Sequence, residues 1–202
     1  YKDGKVLDAK GKYIARPKEP EYRTISDYPL KSELPGFNVR DLGDGVQAIA
    51  LTTKMGVIGP EVMASMTEWL GGQDGPLVLC SEAKSFSAGF DLKFFLEKQE
   101  AGDWMGVDEG LAALQHLTVL LSERKVVAAV HGHCLGAGYE LASACSSIAA
   151  HPEANIGLPE SKVGLIPGGA GTCRMRLKFQ TSLQDLVTSA PLLTRDRMSS
   201  SA

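Results

Sequence analysis

The chain has 202 residues, of which 44% are hydrophobic and 22% charged, with a net charge of −3. That is enough for one domain with a sizeable core and an ordinary globular balance. The small negative charge gives no pull towards nucleic acid or an anionic membrane, and no apolar run reaches the length of a membrane span.

The first residue is Tyr1, not methionine, as expected of a piece of a longer product, and the opening residues show no basic-plus-apolar leader pattern. Residues 1–36 are rich in Lys, Asp, Gly and Pro, including Pro17, Pro20, Pro29 and Pro35, and read as a linker or loosely ordered lead-in. Residues 37–40 and 46–52 flank DLGDG, a turn signal, which predicts a hairpin. Gly59-Pro60 starts a helix whose apolar face is Val62, Met63, Met66, Trp69 and Leu70. Residues 76–80 are a buried strand, followed by SEAKSFSAGFDLKFF, a glycine-containing turn entering an apolar segment. Val107, Leu111, Leu114, Thr118 and Leu121 recur at helical spacing and predict a helix that ends near Ser122.

Residues 126–130 form an uncharged apolar run, a second buried strand. Gly132, Gly136 and Gly138 then break regularity, and a helix begins at about Gly138 with Leu141, Ala144 and Cys145 on one face. The run ANIGL is strand-like and ends at Glu160, and a glycine-rich stop covers residues 164–171. Beyond Thr172, Arg174, Arg176 and Lys178 line one edge of a short helix as a solvated face. Residues 180–202 carry no pattern, and the final SSSA reads as frayed. Strands alternating with helices indicate an α/β arrangement with a parallel or mixed sheet.

The chemistry concentrates in residues 126–172. The first amides of a helix lack internal partners and sit at its positive end, which favours an oxygen that becomes anionic during a reaction. Glu140, in the first turn, reads either as an acid complementing the dipole or as an acid/base group beside an oxyanion site. Glu160 reads either as a solvated loop acid or as its partner. The two together, flanked by glycine-rich turns, favour the second reading of each.

Cys80, Cys134, Cys145 and Cys173 form no C-x-x-C pair and read as buried free thiols in a reducing, cytoplasmic compartment. His116, His131, His133 and His151 show no zinc-ligand spacing with them, so no metal site is expected. Gly132-His133-Cys134-Leu135-Gly136 is G-x-C-x-G between a strand and a helix and resembles a cysteine nucleophile elbow of an α/β-hydrolase. That fold needs an acid and then a histidine later in the chain; only His151 follows, with Glu140 the sole acid between. GGAGT lacks the lysine of a phosphate loop.

Four pieces, SFSAGFDLK, KVVAAVHGHCLGAGYELA, the PE of GLPESKVG, and GLIPGGAGT, resemble the enoyl-CoA hydratase/isomerase (crotonase) superfamily in order and spacing. The resemblance covers most of residues 37–178, an acyl-CoA domain by this reading, with 179–202 a C-terminal segment shorter than the family's usual helical region. It implies a crotonase-like spiral of ββα turns, structural rather than sequence repeats. It implies an oxyanion hole from the backbone N–H groups of Phe90 and Ala137, the latter usually glycine, and catalytic roles for Glu140 and Glu160. By resemblance Glu140 assists removal of a proton from water and Glu160 delivers one to the α carbon. Gly168 supplies an amide that helps position the water. Ala88, Asp91, Leu92 and Lys93 contact the coenzyme A thioester, and Lys54 meets its nucleotide end.

The reaction so implied is hydration of an enoyl-CoA, with acyl-CoA as substrate and no cofactor in this domain. The family also holds isomerases and thioester hydrolases, and a non-catalytic acyl-CoA-binding role is a further alternative. Trimer-type homo-oligomers are usual in the family. YKDGKVLD and LGDGVQAIAL resemble the joint in fused 3-hydroxyacyl-CoA dehydrogenase/enoyl-CoA hydratases. Residues 1–25 would then end a dehydrogenase domain, and NAD would be required by that part alone.

Overall fold

The computed structural model describes residues 5–7, 11–15 and 23–179. A short antiparallel hairpin pairs β1 (Lys5–Leu7) with β2 (Tyr13–Ala15). A 3-10 turn, Ile25–Asp27, is closed by Asp27, whose carboxylate accepts from the Thr24 N–H at 2.6 Å. It leads into β3 (Leu30–Leu34), which pairs antiparallel with β4 (Phe37–Gly43).

The main sheet therefore begins inside the stretch read as a lead-in. Pro29 and Pro35 flank β3, which lies at the sheet edge, where a missing N–H breaks no ladder bond. Arg40 on β4 ties this edge down: it donates to Tyr28 O at 2.7 Å and pairs with Glu82 at 2.6 Å. Residues 1–25, expected to end a dehydrogenase domain, fall largely outside the described residues, and residues 180–202 with the final SSSA lie wholly outside them.

The expected hairpin is present, with β4 antiparallel to β5 (Val46–Leu51) across the DLGDG turn. Asp44 at φ 51° stands between Gly43 and Gly45, both also at positive φ, which is why that turn takes these residue types. Helix α1 (Pro60–Gly71) has Pro60 in its first turn and buries Val62, Met63, Met66 and Leu70. Strand β6 (Leu77–Ser81) is followed by α2 (Leu92–Ala101), which Gly102 ends in the left-handed conformation, and by α3 (Trp104–Ser122). Then come β7 (Val126–Val130), β8 (His133–Leu135), α4 (Ala137–Ala144), β9 (Ser147–Ala150), β10 (Asn155–Gly157) and α5 (Gly171–Phe179).

The six-stranded sheet runs β3-β4-β5-β6-β7-β9, antiparallel from β3 to β5 and parallel from there on. Along β7, Val126, Ala128 and Val130 are buried while Val127 is exposed, the period-2 pattern of a strand with one face on the core. The core joins Ile49, Leu51, Leu77 and Leu79 to Met63, Met66 and Leu70 of α1 and Leu114, Leu117 and Leu121 of α3.

A small second layer follows the main strands. Cys134 of β8 stands opposite both Ile156 of β10 and Ser87, and Ile58 stands opposite Phe90, all in parallel register. Main strand, short strand, helix is thus the repeating turn, clearest in β7–β8–α4 and β9–β10–α5. This is the expected spiral of ββα turns, and it brings the loop after β6, the start of α4 and the loop before α5 to one place.

Candidate active site

Ser87 anchors the loop after β6. Its N–H donates to His133 O and its carbonyl accepts from Leu135 N–H, at 2.9 and 3.0 Å. Its hydroxyl donates to Gly56 O at 2.6 Å and accepts from Gly89 N–H at 3.1 Å. Ala88 N–H donates to Met55 O at 2.9 Å. Phe90 is then bridged to Ile58 through Gly89 O and Asp91 N–H. In a parallel bridge the residue between two such bonds turns its own N–H away from its partner strand. The Phe90 N–H is therefore directed off Ile58, and it has no acceptor among the described residues.

The start of α4 abuts this loop. Gly89 has φ +108°, and a Cβ there would lie 3.0 Å from Leu135 O and 3.7 Å from the Ala137 nitrogen. Only glycine allows that approach. The helix begins at Ala137, one residue before the expected Gly138, after Gly136 at φ 52°. No side chain caps it, and its first internal bond is Glu140 N–H to Gly136 O at 2.9 Å. The Ala137 N–H is left outside the helical ladder.

Glu140 is 1% exposed. Its Oε1 accepts from the N–H groups of Gly169 and Gly171 at 2.7 and 2.9 Å. A Cβ on Gly169 would lie 2.8 Å from Glu140 Oε2, and one on Gly171 2.8 Å from its Cγ, so the loop wraps the carboxylate because both residues are glycine. Burial raises the Glu140 pKa; the Gly171 and Gly169 amides and then Arg174 act against it.

Glu160 opens a 3-10 turn after β10. Its Oε1 lies 2.9 Å from where a Gly136 Cβ would be, and its Oε2 is buried with no hydrogen-bond partner. Burial, joined by the charge of Glu140 and opposed by its own backbone amide, pushes its pKa up to about 7.

One cavity of about 710 Å³ joins these groups. It is lined by Phe90, Ala137, Glu140, Glu160 and Gly168, and by Ala88, Asp91, Leu92 and Lys93. Trp104, Val107, Leu111 and Leu114 form an apolar wall. Of the residues named from sequence, Lys54 is the one that does not line it. Lys54 is exposed on the adjacent 3-10 turn, next to Met55, whose carbonyl holds Ala88. Gly168 lines the cavity and its carbonyl accepts from Gln115, whereas the amides that reach Glu140 come from Gly169 and Gly171.

Residues 57–183 match the family profile of enoyl-CoA hydratase/isomerase. The chain belongs to the enoyl-CoA hydratase/isomerase family. It is 37% identical over 123 residues to the peroxisomal bifunctional enzyme of Homo sapiens, covering 59% of this chain and 16% of that one. It is 34% identical over 174 residues to the peroxisomal fatty acid beta-oxidation multifunctional protein MFP2 of Arabidopsis thaliana, covering 81% of this chain and 24% of that one. The chain thus spans between 16% and 24% of the length of these two relatives. A putative enoyl-CoA hydratase from Thermobifida fusca, solved in complex with acetoacetyl-CoA, shares the fold with a TM-score of 0.68 at 18% identity, over 82% of this chain and 71% of that one.

For a member of this family the cysteine-elbow reading does not hold. Of the four thiols expected to be buried, Cys80, Cys134 and Cys145 are, whereas Cys173 on α5 is exposed. Cys134 lies within β8 at 0% exposure, and burial pushes its thiol well above the ordinary range. A nucleophilic cysteine has to be an accessible thiolate. His151 is exposed, and its Nδ1 is engaged by the Glu153 N–H. Among the described residues no group of His, Cys, Asp and Glu is arranged to hold a metal ion.

Two residues of this crotonase site were not singled out from sequence as site residues. Ser87 reads as part of a turn, and Arg174 as a solvated edge. Arg174 is in fact drawn onto Gly169 O and Thr118 Oγ1, while Arg176 stays exposed and the Lys178 side chain lies outside the described residues. Ser87→Ala would leave Gly56 O and Gly89 N–H unpaired at a buried position. Denaturant unfolding is expected to show a loss of about 1–3 kcal/mol; an unchanged midpoint would show that the hydroxyl holds nothing.

Proposed function

We propose that this family member is an enoyl-CoA hydratase, adding water across the 2,3 double bond of an enoyl-CoA thioester in fatty-acid β-oxidation. The observation that carries the reading is one cavity in which two carboxyl groups, Glu140 and Glu160, face the neighbourhood of two unpaired N–H groups, Phe90 and Ala137. The fatty-acid oxidation named in several relatives supports the same pathway.

As water attacks the β carbon, the thioester oxygen gains negative charge, and the Phe90 and Ala137 N–H groups are the donors for it. Water is a poor nucleophile, so a carboxylate has to accept its proton. Glu140 suits that part: burial raises its pKa, which makes it a stronger base, while two amides and a guanidinium oppose that shift and support the ionised form that can accept the proton. Glu160, held protonated up to about pH 7, suits delivery of a proton to the α carbon. The Gly168 N–H is the group to hold the water, since it lines the same cavity. Ala88, Asp91, Leu92 and Lys93 are the contacts for the thioester arm, with Lys54 further out for the nucleotide.

The proposal includes a trimer-type homo-oligomer. It also includes a place beside other activities, NAD being needed by a fused dehydrogenase part alone, as the names of the bifunctional and multifunctional relatives support. No helix among the described residues is long and apolar enough to cross a membrane. The cytoplasmic expectation finds no support in the relatives, two of which are peroxisomal by name.

Crotonyl-CoA tests the reading: the absorbance of the conjugated thioester falls as water adds. Absence of that fall, with turnover of a 3-enoyl-CoA, would instead make the protein an isomerase, which needs one carboxyl. Binding without any turnover would make it an acyl-CoA carrier.

The pH dependence carries a sign. Glu160 is the acid, so kcat/KM for crotonyl-CoA is expected to fall as pH rises through about 7. Its raised pKa also means that the folded protein keeps a proton that the unfolded chain has released. Stability therefore drops between the usual carboxyl value of 4.5 and about 7. Melting temperatures measured at pH 5 and pH 8 should differ less in Glu160→Gln than in the parent protein; equal differences would contradict the assignment.

A further inference from the structure

The loop that grips Glu140 does not support itself. Ala170, between the two glycines whose amides reach the carboxylate, has φ +67°, a left-handed conformation that a residue with a Cβ resists. Its neighbours' carbonyls are taken by side chains from two helices. Arg174 of α5 donates through Nη1 to Gly169 O at 2.5 Å and through Nη2 to Thr118 Oγ1 at 3.1 Å. Thr118 in turn donates to Gln115 O at 2.7 Å, and Gln115 Nε2 donates to Gly168 O at 2.8 Å. The Arg174 N–H also holds Ala170 O at 3.1 Å.

We propose that Arg174, seconded by Gln115 and Thr118 of α3, is a positioning residue for Glu140: it clamps the carbonyl side of the 168–171 loop so that the Gly169 and Gly171 N–H groups stay aimed at the Glu140 carboxylate. A guanidinium suits this work because its planar fork holds two acceptors at fixed separation while its charge acts on the carboxylate. The inference rests on the hydratase reading above for its catalytic consequence, and on hydrogen bonds alone for its geometry.

Several titratable and charged groups share the surroundings of Glu140. Glu160 lines the same cavity, whose lining also carries Asp91, Lys93 and Lys162; Tyr139 precedes Glu140 on α4, and Arg174 approaches from α5. Helix α3 presents Leu114 with the uncharged Gln115 and Thr118, β8 presents the buried Cys134, and β7 and β9 carry no titratable side chain. Of the cations, Arg174 is the one whose charge favours the ionised form of Glu140.

The test compares Arg174→Gln, Arg174→Lys and Gln115→Ala with the parent chain by two independent readouts. The first is amide hydrogen exchange at Gly169 and Gly171, which needs no substrate. The second is the pH profile of crotonyl-CoA hydration. In Arg174→Gln both amides are expected to exchange at least about tenfold faster, a loss of roughly 1.4 kcal/mol of local protection. In the same variant kcat falls about tenfold or more with KM nearly unchanged, and the acidic limb of kcat/KM moves to higher pH.

Arg174→Lys keeps the charge without the fork, so it retains the position of that limb and recovers only part of kcat. Gln115→Ala, at an exposed position, gives the milder form of the exchange effect and guards against a fold too damaged to read. Parental exchange at both amides in folded Arg174→Gln and Gln115→Ala would overturn the proposal. So would a lowered kcat accompanied by an unmoved pH profile. If the parent chain does not hydrate crotonyl-CoA but the exchange effects appear, the clamp stands and the hydratase reading falls.

Discussion

Glu140→Gln is expected to lower kcat for crotonyl-CoA by about 10²–10⁴-fold while binding of a saturated acyl-CoA changes little. The substitution keeps the shape of the side chain. Its amide oxygen still accepts from the Gly169 and Gly171 N–H groups that now meet Oε1 at 2.7 and 2.9 Å. What it removes is the capacity to take a proton from water. In the proposed mechanism the oxygen of the thioester is held by backbone groups, so affinity is expected to survive. Glu160→Gln has the complementary defect: it retains a donor but has no acidic proton to deliver, and a loss in the same range is expected. Turnover by stopped-flow and affinity by calorimetry with butyryl-CoA separate the two quantities. An unchanged kcat in either variant removes that residue from the mechanism.

Ala137→Pro is expected to lower kcat about 10²–10³-fold, the loss typical of one oxyanion donor. Proline is tolerated at the first position of a helix, and Ala137 opens α4 with its N–H outside the ladder, so the helix itself should persist. The proline ring also occupies space beside the missing hydrogen. Ala137→Gly is therefore the control, since it keeps the N–H and removes only the methyl. The account expects near-parental turnover for the glycine variant and a collapse for proline. Equal effects of the two would mean that the side chain, not the amide, matters at this position.

The elements with strong periodicity were readable before any coordinates. The DLGDG hairpin and the Pro60 helix start follow from local chemistry and are found, and the uncharged apolar run at 126–130 is a strand as read, although Val127 is exposed and one face alone is buried. Helix α4 was readable by its glycine-rich entry; the single apolar face of Leu141, Ala144 and Cys145 does not describe it, because all eight of its residues are buried and Cys145 is its C-cap. Strand β3 was hidden by the prolines on either side of it, which read as breakers although an edge strand accommodates them.

Ser87 and Arg174 were not legible as site residues for a different reason. Their decisive partners lie 31 and 56 residues away, at Gly56 and Thr118, and nothing local marks a serine or an arginine for such a contact. Glu140 and Glu160 stood out by their glycine-rich settings, but the cavity they share exists only once two turns of the spiral stack. Lys54 shows the converse, a basic residue in an apt position along the chain that stands outside the cavity lining.

The most direct measurement is a crystal structure of the protein with an unreactive acyl-CoA, such as acetoacetyl-CoA, in the cavity. The account predicts the thioester oxygen about 2.7–3.1 Å from the nitrogens of both Phe90 and Ala137, with the β carbon between the carboxyl groups of Glu140 and Glu160. A thioester oxygen bound away from both nitrogens, or a β carbon out of reach of both glutamates, would contradict it.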